Sequence, residues 1–112
     1  MGKNMTTKPM KEIYYRESRI AKALGEPAKY SLVRLLLDNG PQNVTAIAQA
    51  IRRSQPTVSH HSGQLKNLEI VRYETRFDGN FYWIKYSDEI RKILKALNEF
   101  VNRTFSKVYS ED

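Results

Sequence analysis

Residues 54–61 read SQPTVSHH. Hydroxyls, an amide, two adjacent imidazoles and a proline crowd around one apolar residue, Val58. Such a concentration of hydrogen-bonding groups has three readings. It is a catalytic set, a set of metal ligands, or the reading edge of a helix that lies on a polar surface.

Ser54 is suited to cap a helix, because its hydroxyl can accept from the free N–H groups of the first turn. Pro56 falls inside that turn, where its missing N–H costs nothing. With about 100° between successive residues and Val58 turned inward, Leu65 and Leu68 fall near Val58 and His61 leans the same way. Ser59, His60, Gly63, Gln64 and Asn67 fall opposite, with Gln55 and Thr57 flanking the start. This outward face is polar and uncharged, where a merely solvated face usually carries Lys and Glu. Gln, Ser and Thr can hydrogen-bond base edges, and the Thr methyl suits that of thymine. The helix N-terminus favours a nearby phosphate. The catalytic reading is weaker: Ser59 beside His60 points about 100° away from it, too far round for a nucleophile–base hydrogen bond. The metal reading is also weak. Adjacent His residues on a helix do not share an ion, a site needs three or four ligands, and the chain has two His and no Cys.

Upstream, a helical rhythm over Lys11–Leu24 (Ile13, Tyr14, Ile20, Ala21, Leu24) stops at Gly25. Pro27 opens a second helix with Tyr30, Val33, Leu36 and Leu37 inward, closed by Asn39-Gly40-Pro41. A short third helix runs from about Thr45 to Ile51, and Arg52-Arg53 turns the chain into the SQPTVSHH helix. Downstream, 70–76 and 81–86 read as strands joined at Asp78-Gly79-Asn80. A last helix follows from Ser87 or Asp88 to about Val108. The expected fold is mainly α with a β-hairpin wing, in the order α-α-α-α-β-β-α, a winged helix-turn-helix. Residues 1–9 read as a flexible N-terminal tail and 10–112 as a single domain.

The chain has 112 residues and a net charge of +7, which favours a polyanionic partner. Residues 1–24 carry six Lys/Arg against two Glu, and residues 44–86 six against three; the rest is balanced. Absence of Cys excludes disulfides and thiolate chemistry. No apolar run reaches the ~18 residues of a membrane span, and the N-terminus lacks the apolar segment of a secretory signal. The expected setting is cytoplasmic, with no membrane partner and no cofactor.

Three stretches carry a resemblance. AKALGEPAKYSLVRLLL (21–37), VTAIAQAI with SQPTVSHH (44–51 and 54–61) and IVRYETRFDGNFYWIKY (70–86) resemble the ArsR/SmtB family of small dimeric winged-helix repressors. The likeness covers roughly residues 13–100. It implies a homodimer, built from the first and last helices, that represses transcription from an imperfect inverted repeat. The family's metal sensors place Cys at the start of the third helix, where this chain has Asn43 and Thr45, or Asp and His pairs on the last helix, which has no His here. Neither sensing site is present. Where the family has Leu and Gly, this chain has Ser62 and Glu69, and Gly63 costs about 1 kcal/mol of helix propensity.

The expected function is therefore sequence-specific binding of double-stranded DNA, not enzymatic. Ser54, Gln55, Thr57, Ser59, His60 and Gln64 are expected on the recognition helix at the DNA, with Ser54 on a phosphate. Arg52, Arg53, Lys66, Arg72, Arg76 and Asn80 are expected on the backbone or in the minor groove, and His61 is expected to be structural. Ile13, Tyr14, Ile20, Ile93, Leu97, Phe100, Val101 and Phe105 are expected at the dimer interface, unless the last helix packs only within its own domain. The rivals are a winged-helix protein-interaction module and a regulator gated by a small ligand near Tyr14, Tyr15 and Phe100. The sequence names no effector.

Overall fold

Pro27 and Glu26 set the first corner of the molecule. In the computed structural model, which describes residues 10–109, α1 spans Glu12–Leu24 and α2 spans Pro27–Asn39. The expected tail, 1–9, lies outside the described residues. Proline occupies the first turn of α2, and the Glu26 carboxylate accepts from the Lys29 N–H at 2.9 Å, satisfying one of the donors a helix start leaves free. Helix α2 is the central element, with Ala28, Leu32, Val33, Leu36 and Leu37 all buried. It ends at Gly40, whose φ of 78° is open to glycine without steric cost.

Two residues, Gln42–Asn43, then form a short strand β1 that the sequence reading missed. Asn43 next caps α3 (Val44–Ile51), its side-chain oxygen accepting from the Ala46 N–H at 2.8 Å. Arg52 takes a left-handed conformation, φ 59°, and turns the chain into α4 (Gln55–Asn67). Glu69, with φ 66°, makes a second left-handed turn into the sheet. Glycine is the residue that adopts this conformation readily, a physical reason for the glycine that the resemblance leads one to expect here. Glu69 occupies it with its carboxylate hydrogen-bonded to the Lys85 ammonium.

The wing consists of β2 (Val71–Arg76) and β3 (Gly79–Ile84), paired antiparallel from Val71↔Ile84 to Arg76↔Gly79. The expected turn at residues 78–80 is corrected. Phe77 and Asp78 form the turn, while Gly79 and Asn80 already belong to β3. Gly79 carries the positive φ, 133°, that no side-chain-bearing residue enters easily. β1 pairs with the other edge of β3, so the sheet order is β1-β3-β2 and the expected two-stranded hairpin becomes a three-stranded sheet. Helix α5 (Ser87–Tyr109) closes the chain. Its first turns bury Ile90 and Leu94, and Arg91 donates to the Leu37 carbonyl at 2.5 Å, fastening α5 to the end of α2.

One core runs through these elements: Leu32, Val33, Ile47, Val58, Leu65, Val71 and Leu94 are almost completely enclosed. Ser62 is enclosed with them, and its hydroxyl has no hydrogen-bond partner. A serine thus stands on the inner face of α4 at the position where the family has leucine, and its burial costs free energy that an apolar side chain would not.

Candidate nucleic-acid interface

The N-terminus of α4 is built by its own side chains. Ser54 accepts from the Thr57 N–H at 3.2 Å and donates its hydroxyl proton to Thr57 Oγ1 at 2.9 Å. Thr57 is consequently half-buried, with its hydroxyl engaged beside the cap. Gln55 is exposed, and its amide donates to the Thr45 hydroxyl on α3 at 3.2 Å. Thr45 is thus a residue of the site that sequence reasoning missed. It lies ten positions before Gln55, on another helix, and periodicity carries no signal for a contact across a turn.

Further along α4, Ser59, His60 and Gln64 are exposed. They stand away from Val58, Ser62 and Leu65, which are buried. His61 is half-buried with Nδ1 sealed from solvent and unpartnered. Burial pushes its pKa below the ordinary value, against the pull of the Glu26 carboxylate; Lys29, His60 and Arg53 act in the same direction as burial. The two imidazole rings are 5.9 Å apart and tilted by 48°. Among the described residues no cluster of three or more His, Asp or Glu could hold a metal ion.

The cations expected at the DNA backbone lie before this helix, near its end and on the wing. Arg52 and Arg53 are exposed at the α3–α4 turn, where the Arg53 N–H bonds the Ala48 carbonyl at 3.1 Å. Lys66 and Arg72 border a shared concavity with Glu69 and Lys85. On the wing, the Arg72 guanidinium lies 6.0 Å from the Trp83 ring centre. That of Arg76 lies 4.9 Å from the Phe81 ring and 3.5 Å from the Glu74 carboxylate. Both lie within cation–π range of a ring of the facing strand. Asn80 is exposed, paired with Thr75 across the strands. Phe77 projects from the tip fully exposed, a second residue the sequence reading did not single out.

Large apolar side chains collect elsewhere. Ile13, Tyr14, Ile93, Leu97, Phe100, Val101 and Phe105 are between 40% and 64% exposed. Ile20 differs from them, being partly buried against the core of its own chain. Tyr15 is also exposed.

A helix pair joined by a tight turn, an uncharged polar face on the second helix and a basic hairpin at its side define a winged helix-turn-helix DNA-binding regulator. Comparison with known proteins places it more narrowly. The profile described as "Bacterial regulatory protein, arsR family" matches residues 26–73. An uncharacterized HTH-type transcriptional regulator of Methanocaldococcus jannaschii is 35% identical over 88 residues, spanning 79% of this chain and 98% of that protein. The chain belongs to the ArsR family of transcriptional regulators; family and relative are regulators and not enzymes. Two solved structures share the fold. The crystal structure of Rv0081 of M. tuberculosis has a TM-score of 0.78 at 19% identity, covering 88% of this chain and 97% of that one. The homodimeric winged helix-turn-helix DNA-binding domain of Mb0332 from Mycobacterium bovis, solved in solution, has a TM-score of 0.72 at 20% identity, covering 88% and 95%.

Proposed function

We propose that the protein is a cytoplasmic homodimeric repressor that seats its two α4 helices in successive major grooves of an inverted-repeat operator. The observation that carries this reading is the division of one surface into two faces. The outer face of α4 offers Gln55, Ser59, His60 and Gln64 to base edges. The apolar residues of α1 and α5 offer a surface that a second copy would cover, and the solved Mb0332 domain is homodimeric. A two-fold dimer requires a palindromic site with half-sites about 34–36 Å apart. Ser54 would face a phosphate from the helix start. Thr57, half-buried beside it, would offer its methyl rather than its hydroxyl. Arg52, Arg53, Lys66, Arg72, Arg76 and Asn80 would hold the flanking backbone or minor groove.

The positions that ligate metal in the family's sensors serve the fold here. Asn43 caps α3, and the Thr45 hydroxyl holds Gln55. We therefore assign regulation to a signal other than metal at those positions.

The test is fluorescence anisotropy against duplexes tiling the DNA upstream of the protein's own gene, beside a scrambled duplex. One palindromic segment should bind at least roughly 10³-fold more tightly than the scrambled control. On that segment, Gln55→Ala should relax base preference, whereas Arg76→Ala should weaken all duplexes alike and flatten the salt dependence. Equal, steeply salt-dependent binding to every duplex would overturn the proposal.

A further inference from the structure

The recognition helix has two flanks, and the wing accounts for one of them. At about 100° per residue, Ser59 and Lys66 return to within about 40° of Gln55, and Lys66 lines a concavity shared with Arg72 and Lys85 of the wing. Gln64 stands about 180° from Gln55, at the opposite border of the outward face. On that second side a concavity of about 520 Å³ opens between α1, α2 and α4. Its polar lining includes Ser18, Arg19, Lys22, Lys29, Gln64 and Asn67, and no carboxylate borders it.

None of the three cations there, Arg19, Lys22 and Lys29, is in an ion-pair contact among the described residues, where the ion pairs are Arg16–Glu12, Arg34–Asp38, Arg76–Glu74 and Lys85–Glu69. The nearby Glu26 carboxylate accepts from the Lys29 backbone N–H and attracts the Lys29 ammonium without an ion-pair contact. On the wing side, by contrast, Arg76 and Lys85 both have acidic neighbours. Arg19 and Lys22 of α1 and Lys29 of α2 therefore bring positive charge beside the recognition helix.

A helix in a major groove about 12 Å wide lies between two phosphate backbones. We propose that Arg19, Lys22 and Lys29 form a phosphate-binding wall that takes the strand across the groove from the wing, so that α4 is clamped from both sides. This rests on the DNA-binding reading and extends it to helices otherwise assigned to dimerisation and core. On helix α1, Ile13 lies about 120° from Arg19 and about 180° from Lys22, so this proposed dimer residue and the two cations point apart.

The test compares wild-type protein with the triple variant Arg19→Ala/Lys22→Ala/Lys29→Ala on a mixed-sequence duplex over a range of salt concentrations. The slope of log affinity against log salt should flatten by roughly 0.9 for each phosphate that the variant no longer neutralises. Hydroxyl-radical footprints should lose protection on the strand away from the wing, while Arg76→Ala should lose it on the wing strand. Arg19→Lys/Lys22→Arg/Lys29→Arg should retain the wild-type slope. Lys22→Gln alone, at an exposed position, should flatten the slope by about 0.9 without a change in melting temperature. An unchanged slope and footprint in the triple variant would overturn the wall while leaving DNA binding intact. So would a loss confined to binding of pyrophosphate by the free protein, which would assign the concavity to a small anion. Wild-type protein that binds no duplex would instead overturn the DNA-binding reading itself.

Discussion

Helices α4 and α5 are both amphipathic, and they settle their apolar residues in opposite ways. Helix α4 sinks Val58 and Leu65 completely into the chain's own core and turns its uncharged polar side outward. Helix α5 buries Ile90 and Leu94 in its first turns and then carries Leu97, Phe100, Val101 and Phe105 on its surface, 45% to 64% exposed. Phenylalanine and leucine at such exposure forfeit the free energy that burial would provide, about 1.5–3 kcal/mol for each when full. An exposed apolar surface of this kind is what the proposed contact with a second copy would cover. The core thus runs from the end of α1 to the first turns of α5, whereas the exposed side chains of α1 and of the distal half of α5 are those that the proposed second copy would cover.

The largest effect is expected at Leu65. Truncation to alanine should cost about 2–5 kcal/mol, because the side chain is fully enclosed. Denaturant unfolding should show this loss equally at every protein concentration. A loss below about 1 kcal/mol would deny α4 its place in the core and erase its difference from α5.

On α5, Leu97→Glu combined with Phe100→Glu should behave differently. Sedimentation should report a monomer with an unchanged circular dichroism spectrum. Affinity for an inverted-repeat duplex should fall by roughly 10²-fold as the advantage of two linked binding units is lost. A variant that stays dimeric would move the interface away from this face.

A smaller effect of opposite sign is expected at Gly63. It lies within α4, and an added Cβ would meet no atom within 4 Å. Gly63→Ala should therefore raise stability by up to about 1 kcal/mol, read as a higher melting temperature. A lower melting temperature would show that the helix interior is not as open as its geometry indicates.

The smallest effect concerns pH. Burial lowers the His61 pKa from its ordinary value of 6.5. The unfolded chain then binds the proton more readily than the folded one. His61 therefore contributes stability that is fully present above that value and is lost as pH falls through it. Glu26 and Glu69 have carboxylates held below their ordinary 4.5 by the Lys29 N–H and by Lys85 respectively. Their contributions fade only at still lower pH. Between about pH 6.5 and 5, melting temperatures of the wild type should fall more than those of His61→Gln. Parallel curves would remove His61 as the cause.

Much of this was legible from residue types alone. Ser54 as a cap, Pro27 and Pro56 in first turns, Gly40 past the end of α2 and the inward set Val58 and Leu65 all follow from local hydrogen bonding and from a period of 3.6 residues. The wing was legible as a pair of β-rich runs, but its turn was misplaced by one residue. Asp-Gly is a strong turn signal; here glycine serves the positive φ just after the turn, and an ordinary phenylalanine shares the turn itself. β1 was invisible, since two residues have no periodicity and gain strand character only from the edge of β3.

The order of elements, the helix ends, the polar face of α4 and the excess of positive charge are properties of the chain read in one dimension, because each depends on neighbours within about a turn. What those residues meet is a matter of packing. Folding set Gln55 against Thr45, sealed Ser62 and the inner edge of His61, placed Glu69 in a left-handed turn tied to Lys85, and gathered Arg19, Lys22 and Lys29 along the free flank of α4. Each of these joins residues brought together by helix packing or by a backbone reversal, and a pattern read along the chain holds no measure of distance across the fold.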